Sequence, residues 1–329
     1  MSAIIKSFVN RIHKMQSAIS HAFYAILLIV FVFSIYSCGS GASDEDKFDK
    51  GIKFDDASKE LKADVEKVVY SLPSPIQVTS LIKNSGASYM GELLNGTTHV
   101  DKYFSSNYKS ALNMGIYGAD LGYACIYYKT QDAISFLKAS KKLADQLGIL
   151  GAFDLDVIER FERNLDNRDS LIRVVTESFR MTDGYLKENA RNSIGALIIT
   201  GSWIEGLFVA SATIENYPKE IPEEQRMIIL KPIINRVAEQ QKPLSNLIML
   251  LSSFGDEQNI PEILSELKEL QKTFDAVKST ESYAAPTTNA ETGVTTINTT
   301  STIDISLETL AKIGKKIKAI RTEIVSYEE

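Results

Sequence analysis

Between Ser106 and Tyr128 the small residues Ala111, Gly115, Gly118, Gly122 and Cys125 recur at spacings of four, three, four and three. On an α-helix that rhythm lays them along one continuous stripe. Glycine inside a helix costs about 1 kcal/mol relative to alanine, so three on one face need a reason. The ordinary reason is close approach of another helix backbone. The alternative is a stripe that admits a ligand or a partner helix. A second long apolar segment, Ile194–Ile214, carries Gly195, Ser202, Gly206 and Ala210 on a comparable face. Asp120-Leu-Gly-Tyr-Ala and Glu205-Gly-Leu-Phe-Val are faintly alike, but the match is too short to establish a duplication.

Around these two segments the chain reads as helical almost throughout. Ser58–Leu72 places Leu61, Val65, Val68, Val69 and Leu72 at spacings of three and four, the mark of one apolar face. Ser74-Pro75 starts the next helix, with Ser as cap and Pro at its first position, and Gly86 ends it. Residues 87–103 read as a loop, with Asn95-Gly96-Thr97-Thr98 as a turn. Thr130 and Asp132 open a helix running to Gly148. Asp154 caps Val157–Leu165, and Asn167 or Asp169 caps the helix from Leu171. Pro218 and Pro222 break the chain before Glu223–Gln240, which Pro232 should kink or divide. Pro243–Phe254 ends at Gly255, and Asn259-Ile-Pro-Glu262 resembles a capping box. The last helix, Ser306–Val325, is amphipathic and runs through Leu307, Leu310, Ile313, Ile317, Ile320 and Ile324. Residues 279–305 differ. Thr occurs nine times between Thr280 and Thr302, which suits an exposed loop with some extended structure or, alternatively, a hairpin turning at Glu291-Thr292-Gly293. The expected fold is all-α: a single bundle of about ten helices over 57–329, with a possible sub-bundle division near 217–223.

The N-terminus has another character. Lys6, Arg11 and Lys14 are the only charged residues in 1–37, and Ala22–Ile35 is an apolar run with a single serine. That is the pattern of a secretory signal peptide. The run is short for a membrane span of about 20 residues, so an uncleaved single-pass anchor is the alternative. The run closes in Ile35-Tyr36-Ser37-Cys38-Gly39-Ser40, which resembles the lipobox of bacterial lipoproteins: aliphatic at −3, small at −1, then cysteine. Tyr36 departs from the usual small residue at −2. The resemblance implies cleavage before Cys38 and acylation of its thiol and new α-amino group by chains such as palmitate. Each buried CH₂ is worth about 0.8 kcal/mol, so several chains anchor durably. Residues 38–56 form a small, polar and acidic tether. Its Asp44-Glu45-Asp46 looks like the lipoprotein export signal of the Bacteroidota. With the helical body, the chain resembles an uncharacterised helical lipoprotein of that phylum. The resemblance implies an outer-membrane location, on the cell surface or the periplasmic face, and no particular activity.

Composition narrows the partners. The chain carries 36 basic and 42 acidic residues, and residues 1–37 remove three basic and no acidic ones. The remainder is acidic, which disfavours nucleic acid and makes the protein stand off from an anionic membrane. Cys125 sits between Ala124 and Ile126, as a buried, inert thiol would. With Cys38 acylated, Cys125 has no partner for an internal disulfide in the mature chain.

No catalytic set emerges. His99 is the single histidine after residue 37, so a multi-histidine metal site is excluded and H-E-x-x-H is absent. G-x-S-x-G, a P-loop, a dinucleotide glycine fingerprint and a Ca²⁺ loop are also absent. Ser-x-x-Lys occurs three times in this helical chain, which makes it uninformative. No catalytic residue, metal ligand or cofactor is assigned. Asp120 and Glu205 stand out because they sit inside apolar helices and need partners there. Six of the 14 tyrosines lie between Tyr103 and Tyr128. Tyr117, Tyr123 and Trp203 are therefore candidates, with the two carboxylates, for lining a ligand pocket. The ordinary role of such tyrosines is to cover a core edge with the hydroxyl in water. Asp169-Ser170-Leu171 resembles a short O-glycosylation acceptor motif of the Bacteroidota, but Asp and Ser there equally suit a helix N-cap. Lys312, Lys315, Lys316, Lys318 and Arg321 form a basic polar side on the last helix.

The expected function is a lipid-anchored binding or scaffold protein of the cell envelope, meeting the membrane through its lipid and an unidentified envelope protein or small ligand. The alternatives are an envelope hydrolase using Asp120 and Glu205, and a homo-oligomer packed through the glycine stripes.

Overall fold

The computed structural model describes residues 75–149, 157–164, 167, 170–174, 176–177, 191–283, 287–288, 295–296 and 299–327. The signal peptide, the tether, the Ser58–Leu72 helix and the Asp154 cap lie outside them.

Two helices organise the rest. α2 (Asn107–Ile126) follows α1 (Pro75–Asn84) and two 3₁₀ segments, Gly91–Leu93 and Thr97–Ser105. All of α2 is buried except Asn107 and Lys109. α3 (Thr130–Gln146) packs back on it, and α4 (Val157–Arg163) follows. α5 (Asn192–Asn216) is long and apolar enough by composition to cross a membrane, but 78% of its most apolar window is buried inside the protein. A helix apolar all round belongs in the middle of a fold, and α5 lies against α2 along their most extensive shared interface. α6 (Glu223–Ala238), α7 (Gln241–Ser252), α8 (Ile260–Phe274) and α9 (Leu307–Val325) complete the bundle. α1 and α9 both pack on α2 and α5. One apolar core runs from Val78 to Ile324 through helices on both sides of 217–223. The described bundle is all-α, as the periodicity implies.

The glycines explain the central contact. A Cβ on Gly115 would lie 2.0 Å from the Ile198 carbonyl oxygen, and one on Gly201 would lie 2.0 Å from the Leu112 carbonyl oxygen. Neither site tolerates even a methyl group while the backbones stay in place. The stripe on α2 therefore meets α5 at Gly115, whereas a Cβ on Gly122 would lie 3.4 Å from the Ile76 side chain of α1. On α5 the glycine that does this is Gly201, which lies off the face of Gly195, Ser202, Gly206 and Ala210. A Cβ on Gly206 would meet no atom within 4 Å.

The ends of the helices are locally determined. Ser106 Oγ accepts the Lys109 N–H at 3.1 Å and starts α2. At the far end Lys129 N–H reaches the Ala124 carbonyl and Tyr128 N–H the Cys125 carbonyl, a Schellman closure. Tyr128 takes the left-handed position usually given to glycine, at φ +59°. Lys83 Nζ sits 4.3 Å over its ring and donates to the Ile126 carbonyl at 2.6 Å, a cation where the helix dipole favours one. Gly86, Gly148 and Gly255 have positive φ just after α1, α3 and α7. Ser306 Oγ caps α9 through the Thr309 N–H.

Several local expectations are corrected. Asn259 does not form a capping box. It adopts a left-handed conformation after a 3₁₀ turn, Glu257–Asn259, and its side chain makes no cap bond. Near 170 the cap is Asn167, whose Oδ1 accepts the Ser170 N–H at 3.0 Å. That is one of the two caps the sequence offers, and Asp169 lies outside the described residues. Pro232 does not divide α6. It and Ile228 are both exposed, so water can reach the carbonyl that proline's missing N–H leaves unbonded. The 87–103 region holds two 3₁₀ segments. The Thr-rich segment, by contrast, follows the hairpin alternative that the sequence offers: β1 (Lys278–Tyr283) pairs antiparallel with β4 (Thr299–Asp304), and β2 (Thr287–Thr288) with β3 (Thr295–Thr296). The Glu291-Thr292-Gly293 turn lies outside the described residues.

Gly115→Ala and Gly201→Ala should each lower stability by about 1–3 kcal/mol, because a backbone must move. Gly206→Ala should raise it by up to about 1 kcal/mol, because nothing opposes the methyl and helix propensity improves. Urea unfolding of the three variants checks this. Equal effects at all three positions would rule out the contact as the reason for the glycines.

Candidate functional site

Asp120 on α2 and Glu205 on α5 are both 0% exposed. The close approach of the two helices brings them together in one buried seam. An isolated ionised carboxylate there would be very unfavourable. Arg321 on α9 answers this for Glu205. Its Nε donates to Oε2 at 2.9 Å and its Nη2 to Oε1 at 3.1 Å, a two-bond fork. Nη2 also donates to the Leu93 carbonyl at 3.2 Å, and the guanidinium lies 4.8 Å from the Phe208 ring centroid. Burial, the largest single effect, acts to lower the Arg321 pKa, but Glu205 through charge and hydrogen bonds, with Asp120 and Tyr103, outweighs it and the net shift is upward.

Asp120 is held differently. Its Oδ2 accepts the Asn95 backbone N–H at 3.0 Å, while Oδ1 faces no donor. Burial first, then the charge of Glu205, push its carboxyl well above the usual range. Arg321 and the Asn95 N–H pull the other way without prevailing, and hydrogen bonding to Glu205 adds to the rise. The raised pKa favours a proton on Asp120, and Oδ1 is the oxygen with no donor facing it. One proton shared by the two carboxyl groups, with the Arg321 guanidinium, leaves no net charge in the core.

The same cluster ties down a loop and a helix end. Asn95 Nδ2 donates to Asn113 Oδ1, and Tyr103 OH donates to Asn95 Oδ1, both at 3.1 Å. The carbonyls at the end of α9 lack partners within their own helix. Lys109 Nζ donates to those of Glu323, Ile324 and Ser326, Asn113 Nδ2 to that of Ile324, and Tyr103 OH to that of Val325.

The other candidates are also structural in this state. Tyr117 is fully buried, and its hydroxyl donates to the Gly96 carbonyl at 2.9 Å. Tyr123 is 1% exposed, and its hydroxyl accepts the Met90 N–H at 3.3 Å. Its ring stacks on Tyr89 at 5.2 Å, whose hydroxyl donates to Asp132. These hydroxyls are not in water: they pin the 87–105 segment to α2 and α3. Trp203 is buried, and its Nε1 donates to Gln240 Oε1 at 3.0 Å. Arg321 is corrected too, since it points into the core and is not part of the solvated basic side. Among its neighbours Lys312 pairs with Glu308 and Lys316 with Glu266. Cys125 is buried and its thiol is pushed up to about 12 by burial, which leaves it unreactive. His99 is exposed, its ring 5.2 Å from that of Tyr327. Among the described residues no group of three His, Cys, Asp or Glu could hold a metal.

Sequence reasoning found both carboxylates but not Arg321, Asn95 or Asn113. No short motif links them, because Arg321 lies 116 residues from Glu205. Two cavities border α5. One, of about 10 Å³, includes Glu205, Thr79 and Tyr123 in its lining. The other, of about 20 Å³, includes Trp203, Gly206, Arg236 and Gln240. A water needs about 10–15 Å³, so neither enclosed space holds an organic molecule. No family model, curated protein or solved structure matches the chain.

The raised Asp120 pKa has a definite sign. Above its ordinary value of 3.8 the unfolded chain has released a proton that the fold retains, so stability falls as pH rises through that window. Asp120→Asn mimics the protonated acid and should remove this dependence. Its melting temperature, measured against wild type, should gain progressively from pH 5 to pH 8; a constant difference refutes the protonated state. Arg321→Met should cost about 3–5 kcal/mol in urea unfolding, because it strips a buried carboxylate of its partner.

Proposed function

We propose that the chain is a lipid-anchored protein of the cell envelope whose helical body binds or scaffolds. The observation that carries the anchor is Cys38 at the end of the basic-then-apolar leader, within Ile35-Tyr36-Ser37-Cys38. The acidic tether that follows supports an outer-membrane lipoprotein with its body held away from the lipid. Binding or scaffolding is favoured by the use the fold makes of its unusual polar residues. Asp120 and Glu205 are committed to Arg321, Asn95 and each other, sealed from solvent. Their chemistry holds α2, α5 and α9 together. Gly115 is likewise occupied by α5 of the same chain, so that part of the stripe is not open to a partner helix.

Intact cells should be treated with protease and blotted, comparing wild type with Cys38→Ala. Wild type should fractionate with the outer membrane, and the variant should be unprocessed and lost from that fraction. Digestion of wild type places the body on the cell surface; protection places it on the periplasmic face. If Cys38→Ala alters neither membrane binding nor processing, the lipid anchor is wrong and residues 22–37 act as an uncleaved span.

A further inference from the structure

We propose that the segment joining α1 to α2, residues 87–105, is a proton-controlled latch over the Asp120–Glu205 pair. It stays closed while the two carboxyl groups hold one proton, and it opens at Leu93–Asn95 when that proton leaves. The latch works in the same way with or without the lipid anchor.

The charge count is the first observation. Asp120 and Glu205 are both 0% exposed, and among the described residues Arg321 is the cation that bonds the pair. Two ionised carboxylates against one guanidinium leave a negative charge unbalanced, which is very unfavourable in a core. One proton restores neutrality. The other groups around the pair do not supply the balance. Tyr89 and Tyr103 from the segment, and Tyr117 and Tyr123 from α2, are neutral acids that burial pushes upward. α1 borders Glu205 with Val78, Thr79 and Ile82, none of which ionises, and its Lys83 is turned to the Ile126 carbonyl. Asp132 of α3 accepts the Tyr89 hydroxyl, and Glu92 of the segment is exposed; both add negative charge. The space beside Glu205 is about 10 Å³, at the lower limit for a single water. The closed seam therefore cannot hydrate a second charge, and losing the proton requires something to move.

The anchorage of the surrounding elements decides what moves. α2 and α5 are fixed by the backbone contacts at Gly115 and Gly201, and α9 buries five apolar side chains. Between Gly91 and Gly96, Leu94 is the one buried apolar side chain, and Gly91, Glu92 and Gly96 are exposed. This stretch is held by polar bonds instead, and two of them end on the cluster. Asn95 N–H donates to Asp120 Oδ2, and the Leu93 carbonyl accepts Arg321 Nη2. Gly91 and Gly96 bracket these residues, and glycine readily absorbs the backbone rotation of a hinge. An ionised Asp120 would hold the Asn95 N–H more tightly, so that bond alone opposes opening. Burial and the Glu205 charge outweigh it. Opening lets water reach both carboxylates and returns Asp120 to the ordinary range.

Hydrogen exchange of the full chain in dodecylmaltoside micelles tests this, read by mass spectrometry from pH 5 to pH 8 and corrected for the intrinsic pH dependence of exchange. An opening that releases one proton becomes up to about tenfold more frequent per pH unit. Protection over 90–96 should fall by that factor, from a level below that of α8 at every pH. Asp120→Asn, which needs no proton, should abolish the fall. If circular dichroism shows that Asp120→Asn does not fold, Glu205→Gln carries the test: Arg321 then balances an ionised Asp120, and the fall should again be lost. A wild-type slope in the folded variant overturns the latch. So does protection over 90–96 that stays constant with pH while α8 loses protection, because the proton then leaves only on global unfolding. Protection over 90–96 equal to that of α8 also overturns it, since the segment then opens only with the whole fold.

Discussion

The backbones of α2 and α5 touch where Gly115 faces Ile198 and Gly201 faces Leu112, with no room for a Cβ on either glycine. That contact sets the spacing of the two helices, and much else follows from it. α1 and α9 pack against both helices, and α3 packs on α2. An approach this close also excludes water from the seam between α2 and α5. Any polar group in that seam must be satisfied by the protein itself.

Two carboxylates occupy that seam, and their arrangement makes them tolerable. Glu205 has the Arg321 fork, and Asp120 has the Asn95 N–H and a carboxyl that burial and the Glu205 charge push toward its neutral form. Such clusters are weak evidence of net stability, since a buried pair loses hydration on both sides. What this one adds is register. It links one residue on each of α2, α5 and α9 with the backbone at Leu93 and Asn95, and an apolar seam would not discriminate among nearby registers in that way. Lys109, Asn113 and Tyr103 extend the same logic to the end of α9. The polar residues of this protein thus specify how its last helix docks.

Much of the fold was legible in the sequence because its signals are local. Apolar spacing of three and four marks the helices, Ser106 and Ser306 cap two of them, and Gly86, Gly148 and Gly255 end others. The glycine stripe on α2 announces a close contact, and Asp120 and Glu205 announce a buried polar cluster. What closes those signals is not local. Gly201 rather than Gly206 makes the contact, because the rotation of α5 about its axis depends on the helices packed around it. Arg321 reads as one more basic residue on an amphipathic helix until α9 turns it inward, 116 residues along the chain from its partner. Periodicity and capping are properties of a few neighbouring residues, so the chain alone determined the elements and their ends. Which faces meet, which carboxyl groups share a proton and which segment lies over them depend on burial and distance, and only the tertiary structure decided them.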